Sequence, residues 1–354
     1  MADSSPVDSV PDWACGPRTT GARHLPEGFC MSRPRRSVRQ PPAEDALITL
    51  KKMSTLSVAT ALLLLTAGCS AATRAETGAA ARPHRPAARG VLVVAAGDIA
   101  CAPGKAVTAT SCQQAATARL AASFHPRYVL PLGDEQYDDG ALTDFESSYA
   151  RTWGQFNTIS RPVPGNHDYH QSGAAGYFTY FQPETTPPGY YAVNIGRWRV
   201  YALNSNCSDI DCGAEATWLN QDMTAHPRDC TAITMHHPRY SSGAQHGDSP
   251  DVAPLWQVAV DHHADLALAG HDHEYERFRS MDANGHITRN GLVSFVVGTG
   301  GKDLYAKGAT HAGSVLFDNH HFGVLALRLG QRGYAWRFKT IDGSTVDAGA
   351  RRCH

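Results

Sequence analysis

Along residues 91–345, short apolar runs alternate with amphipathic stretches, and five of the runs stop at a polar cluster of the same kind. Residues 91–96 stop at Gly97-Asp98, and residues 127–132 at Gly133-Asp134. A short strand through Val163 stops at Gly165-Asn166-His167-Asp168, residues 231–235 at His236, and residues 265–269 at Gly270-His271-Asp272-His273. Aliphatic and β-branched runs of this length, bounded by glycine and polar residues, read as buried strands. Helices are expected over 113–124, 141–153, 214–225 and 251–262. Two adjacent strands are expected at 190–195 and 197–204, turning at Gly196, and further strands at 292–297, 323–329 and 333–341. Strands alternating with helices make an α/β class, and the strand-rich tail adds a mixed or second sheet. In such folds ligands bind outside the carboxyl ends of strands, where these clusters fall. Glycine precedes four of the five, which suits sharp turns and close backbone approach.

Composition narrows the function classes. The 354 residues carry 32 basic and 33 acidic side chains, a net charge of -1, without the basic excess of a dedicated nucleic-acid binder. Apolar residues at 42% and charged residues at 18% argue against a disordered chain. No apolar run reaches the roughly 18 residues that a spanning helix needs. The neutral total hides a division: residues 1–90 hold 12 basic and 7 acidic side chains, and residues 91–354 hold 20 and 26.

The first 90 residues differ in kind. Residues 1–50 show no periodicity and read as a disordered extension, or as sequence upstream of the true start. Lys51 and Lys52 then precede an apolar segment, 56–65, that ends in Thr66-Ala67-Gly68-Cys69. A positive flank, a short apolar core and small residues before a cleavage point describe an export signal over 51–69. The alternative is a buried helix, but 61–65 lacks a polar face. Cys69 after Ala-Gly resembles the lipobox of bacterial lipoproteins, with Thr66 where leucine is preferred, so Cys69 is the expected lipidated residue and the only membrane contact. Residues 70–90, rich in Ala, Arg and Pro, read as a tether to a domain spanning 91–354. Export also suits six further cysteines. Sequence alone does not choose among their pairings; proximity favours Cys101–Cys112 and Cys207–Cys212, leaving Cys230–Cys353.

Taken in order, Gly97-Asp98, Gly133-Asp134-Glu135-Gln136-Tyr137, Gly165-Asn166-His167-Asp168, Met235-His236 and Gly270-His271-Asp272-His273 resemble the signature of the calcineurin-like metallophosphoesterases. Ala100 stands where most members carry a histidine, and Tyr137 supplies the tyrosine of the purple acid phosphatase branch. The run Gly270-His271-Asp272-His273-Glu274-Tyr275-Glu276-Arg277 is also similar to that branch, in its short form. The resemblance implies a four-layer αββα sandwich with two mixed β-sheets. It also implies two metal ions: Asp98, Tyr137 and His273 on the first, Asn166, His236 and His271 on the second, with Asp134 bridging. A phenolate suits Fe(III), and an amide with two imidazoles suits Zn, Fe or Mn.

The implied reaction is hydrolysis of a small phosphomonoester by a metal-bound hydroxide, outside the cytoplasm, by a lipoprotein or secreted enzyme. His167 is expected to contact the phosphate, and His246, ten residues after His236, to act as a second catalytic histidine. The bland alternatives are a surface tyrosine at 137 and a solvated loop histidine at 246. His237 is expected at most behind a ligand, His262 and His263 at a helix end, and His320 and His321 in packing. Gly298-Thr299-Gly300-Gly301 lacks the Lys-Ser/Thr of a P-loop and is expected near the metals. Phosphodiester or nucleotide hydrolysis at the same site is the nearest alternative function, and a non-catalytic surface binding protein that keeps the fold is the other.

Overall fold

The computed structural model describes residues 90–354. The readings for the upstream extension, the signal, Cys69 and most of the tether lie outside the described residues. In chain order the elements are β1 Val91–Ala96, α1 Gln114–Ser123, β2 Tyr128–Pro131, α2 Leu142–Ser147, α3 Ala175–Phe181, β3 Tyr191–Ile195 and β4 Trp198–Ala202. They continue with α4 Cys212–Ala225, β5 Thr231–Thr234, α5 Ala253–Asp261, β6 Leu266–Ala269, β7 Tyr275–Phe278, β8 Val293–Val297, β9 Ser314–Asp318, β10 Gly323–Leu329, β11 Gly333–Thr340 and β12 Thr345–Arg352.

The strands form two mixed sheets, ordered β12-β11-β10-β1-β2 and β3-β4-β5-β6-β8-β7-β9. In the first, β1 is parallel to β2 and antiparallel to β10; in the second, β4, β5, β6 and β8 run parallel. Their inner faces share one core. Tyr275 of β7 stacks on Phe338 of β11 at 4.0 Å, Trp198 meets Tyr334 at 5.6 Å, and Phe295 meets Trp336 at 5.6 Å. Aromatic pairs in such geometry add about 0.5–1.5 kcal/mol each beyond the area they bury. Asp347 of β12 ties the sheets in a second way. It accepts from Tyr275 Oη (2.7 Å), Arg277 Nε (2.7 Å) and Trp336 Nε1 (2.9 Å). A second core packs Leu219 and Met223 of α4 and Leu255, Trp256 and Ala259 of α5 against Tyr201, Ile233, Ala267 and Val296. The expected αββα layering is what the chain forms. The two cysteine pairs favoured by proximity, and the pair left over, are all disulfides.

Two expected elements come out differently. The helix over 141–153 stops at Ser147 and passes into 3-10 turns. The Tyr149 N–H goes to Gln136 Oε1 (3.1 Å) in place of a carbonyl one turn back, and Ser148 Oγ donates to the Cys101 carbonyl. The segment through Val163 runs along β2 through Arg161 N to Val129 O (2.8 Å) and Val163 N to Pro131 O (3.2 Å). Pro131 on β2 has no N–H to return a bond to the Arg161 carbonyl, so the ladder is not completed and the segment forms no strand. β7, β9, β12 and α3 were not anticipated.

Candidate metal centre

The carboxyl ends of β1 and β2 in one sheet, and of β5, β6 and β8 in the other, meet at one edge of the sandwich. Gly97 N donates to Val297 O (2.9 Å) across the sheets, and Asp98 N to Gly133 O (3.1 Å). Three of the expected ligands hold left-handed backbone: Asp98 (φ 60°), Asp134 (φ 49°) and His271 (φ 72°). Such conformations cost an L-residue roughly 1 kcal/mol or more, and they turn each side chain off its strand toward the centre. The glycines before them are needed for proximity. A Cβ at Gly133 would lie 2.5 Å from His236 Nδ1, and one at Gly270 2.6 Å from Asp98 Oδ2.

All seven expected ligands converge, in two groups. In the first, Tyr137 Oη lies 2.9 Å from Asp98 Oδ1, 2.9 Å from His273 Nε2 and 3.0 Å from Asp134 Oδ2. In the second, His236 Nε2 lies 3.0 Å from Asn166 Oδ1, 3.2 Å from His271 Nδ1 and 3.4 Å from Asp134 Oδ2. Asp134 belongs to both groups. Asp98, Asp134, Tyr137, His236 and His273 are buried to 2% exposure or less.

This set fits cations. One phenolic proton cannot serve two carboxylates and an imidazole, and one nitrogen of His236 faces three donor atoms at once. Neighbouring groups settle which nitrogens are free. His236 Nδ1 donates to the Leu132 carbonyl (2.9 Å) and His273 Nδ1 to Asp303 Oδ1 (2.6 Å), so both Nε2 atoms face the centre. The charges are strongly coupled. Burial opposes ionisation of Asp134, yet His236, His167 and His271 hold it well below the ordinary carboxylate range. Burial likewise opposes charge on His236 and His273, but the facing carboxylates push each up to about 9. Burial, with Asp134 and Asp98, raises the Tyr137 phenol well above its usual value. Ionising Tyr137 therefore calls for a cation beside it.

His167 joins the first group. Its N–H donates to Asp134 Oδ1 (2.9 Å), its Nδ1 to the Asp138 carbonyl, and its ring lies 4.4 Å from that of Tyr137. His246 joins the second, stacked on His271 at 4.0 Å. Asp272 holds the loop that carries His246, accepting from His246 N (3.3 Å) and Gly247 N (3.0 Å). Gly298 and Gly300 lie beside the site as expected, Gly300 N donating to Gly97 O (2.9 Å). His262 caps the end of α5, its ring bonded to Asn220 Oδ1 (2.8 Å), and His321 pairs with Asp318 (2.9 Å). Two residues that sequence patterns did not single out support His273: Asp303 orients it, and Tyr305 stacks on it at 3.8 Å. His237 also counts for more than expected, because it lines a cleft beside the second group.

Comparison with known proteins gives the family. A family model described as calcineurin-like phosphoesterase matches residues 90–275. Purple acid phosphatase 23 of Arabidopsis thaliana is 24% identical over 169 residues, which are 42% of this chain and 37% of that protein. Phosphoenolpyruvate phosphatase of Allium cepa is 27% identical over 176 residues, or 42% and 36%. The match thus spans little over a third of each relative's length. Among solved structures, purple acid phosphatase PPD1 from yellow lupin (Lupinus luteus) seeds superposes with a TM-score of 0.59 at 16% identity, covering 74% of this chain and 53% of that one. GAP50, the anchor in the inner membrane complex of Plasmodium, gives 0.55 at 14% identity, covering 75% and 89%. Both likenesses are of fold. With a family match over more than half its length, the chain belongs to the calcineurin-like phosphoesterase family.

Proposed function

We propose that the chain is a metal-dependent hydrolase of phosphomonoesters, working with two ions. The observation that carries this reading is the partition of seven donors into two groups joined by Asp134. Asp98, Tyr137 and His273 would hold an Fe(III) ion, and Asn166, His236 and His271 a Zn, Fe or Mn ion. Bound there, the ions would supply an activated water and offset charge on the phosphoryl oxygens. The chain's own residues do the rest. His167 Nδ1 is engaged by the Asp138 carbonyl, so Nε2 faces the centre, 3.9 Å from Asp134 Oδ2, and is free to contact a phosphoryl oxygen. His246, stacked over His271, would supply the proton that a leaving alkoxide needs.

We further propose that the enzyme is exported and held by a lipid at Cys69. Three disulfides within the described residues support an oxidising compartment. The test is metal analysis of protein supplemented with Fe and Zn, beside a panel of phosphomonoesters and phosphodiesters. Two ions per chain, a visible phenolate-to-iron absorption lost in Tyr137→Phe, and monoester turnover lost in Asp134→Asn are expected. Fewer than one ion per chain would overturn the reading, and turnover of diesters alone would replace it with the phosphodiesterase.

A further inference from the structure

Beside the second donor group the chain forms an open cleft of about 380 Å³, with Asn166, His246 and His271 at its inner end. Its walls are the loop after β4 and the loop after β5. A leaving group attached to a phosphoryl at the centre has this cleft within reach, and the cleft's chemistry is specific. Asn206, Ser208 and Gln245 are among the polar residues that line it, with the acidic residues Asp248 and Asp251. Among the described residues no lysine, arginine, phenylalanine, tyrosine or tryptophan lines it. Asp248 is held in place by the Ser241 N–H (2.9 Å), and its other oxygen lies 3.9 Å from His311. Asp251 is exposed. Lys302 lies on the Tyr137 side, 5.1 Å over that ring and 3.8 Å from Asp138.

His237 adds a donor of fixed sense. Ser205 Oγ accepts from His236 N (3.2 Å) and His237 N (2.9 Å), which occupies both its lone pairs. Its own hydroxyl proton therefore goes to His237 Nδ1 (2.9 Å), and Nε2 is the nitrogen that bears hydrogen. The cleft thus offers hydroxyl, amide and N–H groups with two fixed negative charges.

We propose that this cleft is the leaving-group subsite, and that it selects phosphomonoesters of hydroxyl-rich or amine-bearing alcohols over those whose leaving group carries further negative charge. The proposal rests on the phosphoesterase reading above. A polyol finds partners for each hydroxyl, and an ammonium finds carboxylates. A carboxylate or second phosphate finds like charge and, among the lining residues described, no lysine or arginine. At about 6 Å in a water-rich cleft each like-charge pair is worth about a three- to tenfold preference. The lack of a flat aromatic wall gives a nucleobase nothing to stack on.

The experiment compares kcat/KM of the metal-loaded full chain for phosphocholine, glycerol 1-phosphate and 3-phosphoglycerate. The last two differ chiefly by a carboxylate in the leaving group. Wild type should favour phosphocholine and glycerol 1-phosphate over 3-phosphoglycerate by about tenfold or more, the margin shrinking as salt is added. Asp251→Asn and Asp248→Asn should each lower the ratio about threefold, and Asp251→Lys should lower it further, toward the anionic substrate. Turnover with a flat or anion-favouring ratio in wild type overturns the selectivity alone. A ratio untouched by both Asp251 variants does the same. Turnover of none of the three overturns the phosphoesterase reading, and this proposal with it.

Discussion

A single methyl group at position 165 should disable the centre. Ala at Gly165 would place its Cβ 2.0 Å from Asp134 Oδ1, 2.3 Å from Asp134 N and 2.7 Å from Asp134 Cγ. Ordinary contact needs about 3.4 Å, so either the carboxylate or the backbone beneath it must move by more than about 1 Å. Neither is free. Asp134 Oδ1 accepts from His167 N (2.9 Å), and the Asp134 carbonyl accepts from Ile99 N (2.9 Å). Overpacking of this kind costs about 1–3 kcal/mol of stability, or about 3–10 °C in Tm for a domain of this size. The functional loss should be larger, because the displaced carboxylate is the one both donor groups share, and a shift of about 1 Å costs on the order of 100-fold in rate. The assay is metal content after dialysis, read beside kcat/KM and thermal unfolding. Gly165→Ala should fold, bind less than half the wild-type metal, and lose at least about 100-fold in kcat/KM. Wild-type metal content and turnover would refute the argument that Asp134 needs the space above Gly165.

Other expectations concern the scaffold. Burial pushes Glu215 on α4 up to about 8 against the opposing Asn204 N–H, and its Oε2 has no hydrogen-bond partner among the described residues. The folded state therefore holds this proton more tightly than the unfolded chain, whose value is about 4.3. Its contribution is full at acid pH and is lost as pH rises through about 8, up to about 4 kcal/mol between pH 5 and 8. Urea unfolding across that range should show this slope in wild type and a flatter one in Glu215→Gln. Removing the Asp347 carboxylate leaves Arg277, whose side chain is 19% exposed, without its partner, so Asp347→Ala should cost about 3–5 kcal/mol in the same assay. Burial opposes the charge on Asp347, but Arg277 and Tyr275 hold its pKa below the usual value, so the pair's contribution should fade only in strong acid. Replacing both Cys230 and Cys353 by serine opens a loop of 123-residue separation and should cost about 2–5 kcal/mol.

What was legible in the chain followed from local chemistry. β1 and β10 are legible to the residue because each is dominated by aliphatic side chains, and the ligands because their order along the chain matches the family signature the sequence resembles. β7 carries no strand signal because Glu276 and Arg277 separate its two aromatic residues; the buried Glu276 accepts from Ser242 N and Oγ. β12 is an edge strand with alternating exposed residues and no apolar face to advertise it. Asp303 and Tyr305 escaped notice for another reason: their roles come from tertiary contact with His273, thirty residues away, and no spacing rule marks such a pair. His237 was undervalued because a histidine beside a ligand reads as a spacer until the fold shows a cleft in front of it.

The Cys230–Cys353 bridge has a consequence for how the sandwich can come apart. Cys230 precedes β5 and Cys353 follows β12, so the bond joins the two sheets at the end opposite the one where Asp98, Asp134 and His236 meet. The sandwich is therefore clasped twice, covalently at one end and through shared donors at the other. With the disulfide intact, opening at the donor end would leave the sheets joined by the covalent bond and by the aromatic core they share. Reduction would leave the shared core and the bonds from Asp347 to Tyr275 and Arg277 to hold both sheets in register. The two clasps lie at opposite ends of the strands and share no partner, so the stability lost on removing both should be close to the sum of the two separate losses.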